Sequence, residues 1–349
     1  MKKILLDRNK NYYKANLHCH STKSDGEMSV EEIKEHYKKN GYSIVAYTDH
    51  EHLLDNSYLN DDEFLAITAC EVAIKEFPEL STLVKTDMKV AHLNFLAKDP
   101  KNIDTPCYNS VYDHFVKDWF KDEIVHTRGE YERVLTHEGI SEMIKIANEN
   151  GFLVTYNHPN WSLQNATDYI GYKDLWAIEV YNHESCCSGR MEYDIHSYES
   201  FLRAGQQIAC IAADDNHSIN TTCGGWVMIN ADKLDYDTIF NAMENHDMYA
   251  SFGPEIKELY IEDDTAYLTF EKGEFALMST LGRRVSKKMA QNPDGENKVA
   301  FKILPTDGCI RFDVVDEKNR RAHTCAYNIS KIKENRNNGK NKRYAFEGQ

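Results

Sequence analysis

The chain has 349 residues, more than one hydrophobic core comfortably fills, so a large domain followed by a small one is the expected arrangement. Its 41 Lys and Arg against 56 Asp and Glu leave a formal charge of −15, which repels nucleic-acid backbones and anionic membranes and argues against polymeric nucleic acid as a partner. A small phosphorylated substrate stays admissible, because bound divalent ions can reverse the sign of the field locally.

Short apolar runs alternate with amphipathic helical patterns, the mark of β/α units and a parallel sheet. The first strand reads Tyr12 to His18. A helix follows Ser29, which forms a capping box with Glu32, and stops near Gly41. Further strands are predicted at 43–49, 64–70 and 89–95. A polar, aromatic-rich stretch at about 98–136 then interrupts the rhythm and reads as an insertion, a lid or one wall of a pocket. Beyond it a helix at 138–149 ends at Asn150-Gly151. Strands at 152–157, 175–181, 207–213 and 226–230 and helices at 190–204 and 234–245 complete a barrel over residues 1–253. Residues 254–330 carry alternating strand patterns and read as a small all-β domain. A polar tail occupies 331–349.

The nine cysteines include an adjacent pair, Cys186 and Cys187, and no Cys-x-x-Cys, which reads as reduced thiols. The basic start at Met1-Lys2-Lys3 lacks the apolar stretch of a signal peptide. No run nears the roughly 20 apolar residues of a membrane span. The expected location is the cytoplasm, with no membrane partner.

The ends of the predicted strands carry the chemistry. They are His18-Cys19-His20 with Asp25 just beyond, Thr48-Asp49-His50, Glu71, the strand bearing His92, Asn157-His158-Pro159, and Asp214-Asp215-Asn216-His217. In a parallel β/α barrel these ends meet at one face. Crowded carboxylates and imidazoles repel or desolvate one another unless cations neutralise them. Neutral imidazole with carboxylate suits Zn, Mn or Fe, and nine candidate ligands exceed the needs of one ion, so two or three divalent ions are expected. Such ions bind phosphoryl oxygens and activate water for attack on phosphorus.

These residues resemble the polymerase and histidinol phosphatase (PHP) family of metal-dependent phosphoesterases. The matching motifs are His18-x-His20, Ser24-Asp25-Gly26, Thr48-Asp49-His50, Glu71, His92, His158-Pro159 and Asp215-x-His217, in the family's order over about residues 14–253. The resemblance implies an α/β fold, a distorted (β/α)7 barrel, here followed by a small all-β domain. It implies His18, His20, Asp25, His50, Glu71, His92, His158, Asp215 and His217 as metal ligands, with Glu71 bridging two ions. Asp25, Glu71 and His217 are singled out as catalytic as well. The segments Ile178–Asn182 and Tyr249–Pro254 are similar to the branch with a C-terminal β domain.

The expected activity is hydrolysis of a small phosphorylated metabolite or nucleotide by a metal-activated water. An amidohydrolase-type metallohydrolase, which shares the opening His-x-His, and a non-catalytic metal-binding scaffold are the alternatives. Asp49 reads either as an orienting partner for a ligand histidine or as a turn residue. Arg128, Arg133 and Arg190 read as phosphate clamps or as solvated charges. Trp161 reads as a stacking platform or as a rim residue.

Overall fold

The computed structural model describes residues 2–77 and 88–332. It divides into a unit of residues 10–252 and a second unit formed by the opening residues to Asn9 with the chain from Gly253. The predicted tail falls almost wholly outside the described residues.

The first strand, β1 (Lys2–Leu6), belongs to the second unit. The larger unit opens with β2 (Asn11–Asn16), α1 (Val30–Lys39), β3 (Ile44–Tyr47), β4 (Leu65–Lys75) and β5 (Val90–Ala97). After the insertion come α2 (His137–Glu149), β6 (Phe152–Tyr156), α3 (Ala166–Tyr169), β7 (Ala177–Asn182), α4 (His183–Cys187), α5 (Ile195–Arg203) and β8 (Ala209–Ala213). It closes with β9 (Trp226–Ala231), α6 (Tyr236–Glu244) and β10 (Met248–Ser251).

The helices form for local reasons. In α1 the Ser29 hydroxyl accepts from the Glu32 amide while the Glu32 carboxylate accepts from the Ser29 amide, the predicted capping box. Val30, Ile33 and Tyr37 are the buried stripe at helical spacing. Thr136 caps α2, and the chain leaves it at Gly151, whose φ of +85° suits glycine.

The sheet departs from the predicted parallel barrel. Strands β2, β3 and β4 pair in parallel, as do β6, β7 and β8. Between the two sets β5 runs antiparallel to both β4 and β6. On the other flank β9 pairs antiparallel with β2, and β10 with β9. The order is therefore β10-β9-β2-β3-β4-β5-β6-β7-β8, and the edge of β2 that closure would need is taken by β9. Strands β8 and β10 approach without forming a ladder. Beyond the end of β2, an isolated parallel bridge joins Cys19 to Asn216 at the rim. The sheet is mixed and open, not a closed (β/α)7 barrel.

In the second unit β1 pairs with β11 (Glu255–Glu262), followed by β12 (Thr265–Glu271) and later by β15 (Asn297–Lys302). A second antiparallel set joins β13 (Phe275–Thr280), β14 (Val285–Met289), β16 (Cys309–Val315), β17 (Arg321–Thr324) and β18 (Tyr327–Asn328). Phe301 and Phe312, 5.7 Å apart, pack between the two sets.

Candidate metal centre

Because β2, β3, β4, β6, β7 and β8 run in one direction, their C-terminal ends share one rim, and the reversed β5 presents its beginning there. That direction changes two expectations. Glu71 lies within β4, which continues to Lys75, rather than at a strand end. His92 lies near the start of β5, opposite Ala73. Both still reach the rim.

All nine predicted ligand residues converge. Their ligand atoms form overlapping groups in which every atom lies within 4.8 Å of the others: His20, Asp25, His50 and His217; His18, His20, Glu71 and Asp215; and Glu71, His92 and His158. A fourth group joins His18 and His158 to Glu179.

Glu71 stands at the centre. Its Oε1 lies 3.0 Å from His92 Nδ1, 3.2 Å from His18 Nε2 and 3.3 Å from His158 Nε2. Its Oε2 lies 3.3 Å from His50 Nδ1 and 3.5 Å from His20 Nε2. Asp215 Oδ1 lies 3.1 Å from His18 Nε2 and 3.0 Å from His20 Nε2. At the more open edge, Asp25 faces His50 and His217, each at 3.5 Å.

Several atoms here are buried without a directed hydrogen bond: His20 Nδ1, Asp25 Oδ1 and Asp215 Oδ1. Buried polar atoms are rarely left so. The spacing suits a cation, since ligands held about 2.0–2.2 Å from a tetrahedral or octahedral ion stand about 2.9–3.5 Å from one another. The donor set is imidazole and carboxylate, and it fits divalent ions.

Electrostatics agrees with the geometry. Burial alone would push His20 down, but Asp215, Glu71 and Asp25 outweigh it and carry the imidazole up to about 10. His158 rises to about 9 against the same burial, through Glu71, Asp215 and Glu179. Despite burial, Asp25, Glu71 and Asp215 are held well below the usual carboxylate range by the surrounding histidines. Without metal, protons on imidazole balance the carboxylates. A divalent cation offers the same compensation.

A supporting shell lies outside the predicted set. Glu179 Oε1 accepts a 2.6 Å hydrogen bond from His18 Nδ1, leaving Nε2 facing the cluster, and its Oε2 accepts from the His158 amide. Asn182 donates to both Glu179 and Asp215, and Asn157 donates to Glu71 Oε1. His158 and Asp215 adopt φ of +26° and +53°, a cost that concentrates at functional sites. The sequence did carry a signal for Glu179, a carboxylate inside the apolar run of β7.

Other readings need correction. Asp49 orients no ligand histidine; its carboxylate accepts from the amides and hydroxyls of Ser21 and Ser24 and shapes the loop that carries Asp25. Arg133 is neither a phosphate clamp nor solvated. It is buried, paired bidentately with Glu51 and lying over the Tyr112 ring. Arg128 pairs with Asp104, and Arg190 is exposed. From the insertion, Phe115 stacks on His50 at 4.8 Å.

Fold and cluster together define an α/β protein with a buried, metal-capable histidine and carboxylate centre. No family model matches the chain, and no curated protein does. Among solved structures it is similar to a two-domain protein from Bacteroides vulgatus containing a predicted PHP-like metal-dependent phosphoesterase, at 15% identity over 92% of this chain and 96% of that one, with a TM-score of 0.46. It is also similar to a candidate metal-dependent phosphoesterase from Bifidobacterium adolescentis (15% identity, 58% and 87% covered, TM-score 0.34). A third is an amidohydrolase from Chromobacterium violaceum with bound sulfate and no metal (15%, 67% and 96%, TM-score 0.38). No helix among the described residues is long and apolar enough to cross a membrane.

Proposed function

We infer that the chain is a metal-dependent phosphoesterase that hydrolyses a small phosphorylated metabolite or nucleotide. The observation that carries this reading is the division of five imidazoles between the two oxygens of Glu71: His18, His92 and His158 by Oε1, His20 and His50 by Oε2. A carboxylate so placed suits a bridge between neighbouring cations. On this reading His18, His20, Asp25, His50, Glu71, His92, His158, Asp215 and His217 hold two or three Mn, Zn or Fe ions. Bound there, the ions would neutralise phosphoryl charge and lower the pKa of water towards neutrality.

The chain's own residues do the rest. Glu179 and Asn157 orient the inner ligands. Asp25 and His217, the least buried of the nine, form the edge that substrate meets first. The test is metal analysis of the purified chain together with hydrolysis of phosphate esters, amides and lactones with Mn, Zn or Fe supplied. Stoichiometric metal and phosphate release are expected. Turnover of amides or lactones alone, or metal-free protein that none of these ions activates, would rule the reading out.

A further inference from the structure

Two large rings stand beside the centre and remain half in solvent. Phe115, at the end of the 3₁₀ turn Ser110–Phe115 of the insertion, stacks on His50 at 4.8 Å and is 42% exposed. Trp161, three residues beyond His158, packs on His92 at 5.3 Å and on His158 at 5.0 Å and is 39% exposed. Many other aromatics of the unit, among them Tyr37, Phe95 and Tyr156, are fully buried in its core; Tyr58 and Trp119 are exposed as well, but neither has a ring contact with a histidine of the centre. The two rings touch different halves of the centre, His50 on the Glu71 Oε2 side and His92 and His158 on the Oε1 side.

The backbone that carries the Trp161 ring is held in advance. The Trp161 amide donates to Glu192 Oε2 at 2.6 Å and the Asn160 amide to Oε1 at 3.0 Å, and Glu192 is buried. An anchored backbone leaves less freedom to be lost when the ring binds. Phe115 sits on a turn capped by Asn109, whose side chain accepts from the Val111 amide. The insertion's two arginines are engaged with Asp104 and Glu51. Exposed ring faces beside a polar centre suit a flat aromatic group.

We propose that Phe115 and Trp161 are specificity-determining residues that stack on a flat ring in the alcohol half of the phosphate ester, as in a nucleoside monophosphate. The proposal rests on the phosphoesterase reading and narrows its substrate class. Stacking on an aromatic side chain changes binding of a base by roughly five- to hundredfold.

The test uses the full chain with metal supplied and compares kcat/KM for adenosine 5′-phosphate and ribose 5-phosphate. Adenosine 5′-phosphate is expected to be preferred roughly tenfold or more. The preference should fall at least threefold in Phe115→Leu and in Trp161→Leu, which keep apolar bulk but lose the ring, and persist in Phe115→Tyr. Adenosine 5′-phosphate should also quench indole fluorescence, and Trp161→Phe should abolish the quench. Equal use of both esters by the parent chain, or variants that slow both equally, would overturn the proposal and leave the phosphoesterase reading standing. Release of phosphate from no ester at all would overturn both.

Discussion

His18 Nδ1 and Glu179 Oε1 lie 2.6 Å apart, and both side chains are sealed from solvent. This contact sets the direction of the His18 ring, because the N–H spent on Glu179 leaves Nε2 as the atom that faces Glu71 and Asp215. Partners of this kind typically govern metal affinity by 10- to 100-fold. Glu179→Gln should therefore weaken metal binding by about that factor, measured by competition with a chromophoric chelator, while the far-ultraviolet dichroism stays that of the parent. Affinity within twofold of the parent would show that His18 needs no such support.

Much of this candidate site is legible in the sequence, and the reason is local. Most segments that carry a candidate ligand pair an apolar run, which must become a buried strand, with an imidazole or carboxylate at or near its end, so for the strands that share a direction the meeting point follows from that direction. What stayed hidden is what local pattern does not encode. The runs that form β4 and β5 are mostly apolar, and nothing in them states that β5 turns back against β4. The pairing of β1 with β11, some 250 residues on, likewise leaves no trace in Ile4-Leu5-Leu6. Arg133 reads as a phosphate clamp or a solvated charge because its buried partner, Glu51, lies 82 residues away in the sequence.

Removing the metal should loosen the larger unit. A ligand that binds only the folded chain stabilises it by about 2.7 kcal/mol at a hundredfold excess over its Kd. For a unit of this size that corresponds to a rise in Tm of roughly 5–10 °C. Chelator-treated protein titrated with Mn or Zn should show that rise in a thermal scan, and Glu71→Gln should abolish most of it. A Tm indifferent to metal would mean that the cluster binds none.

The pH dependence has a definite sign. His20 and His158 are raised in the folded chain to about 10 and about 9. In metal-free protein their stabilisation is complete below the unfolded value of about 6.5 and disappears as pH climbs through 9 to 10. The lowered carboxylates Asp25, Glu71 and Asp215 act oppositely, and their contribution is lost as the solution is acidified below about 4.5. Metal-free protein should thus be most stable between about pH 4.5 and 6.5. Metal must displace the imidazole protons, so apparent affinity should climb with pH between about 6.5 and 9. Titration calorimetry at pH 7 in two buffers of different ionisation enthalpy should register proton release. Identical heats would contradict the charge state assigned to these histidines.

The clasp between the insertion and the centre gives the last test. Arg133 donates to both oxygens of Glu51 and to the Ala73 and Cys107 carbonyls, and Glu51 follows His50 directly in the chain. Removing one partner of a buried pair strands the other charge and costs about 3–5 kcal/mol, whereas replacing both can be nearly neutral. Arg133→Met should therefore lower the unfolding free energy by that amount in denaturant titration, and adding Glu51→Gln should restore most of it. The restored double variant is the informative one, because it keeps the fold while loosening the insertion that carries Phe115. Limited proteolysis within 98–136 should be faster in it than in the parent at equal stability. Equal cleavage rates would mean that the insertion is held by its own small core of Tyr108, Val116, Phe120 and Ile124 and that the ion pair anchors only the segment after His50.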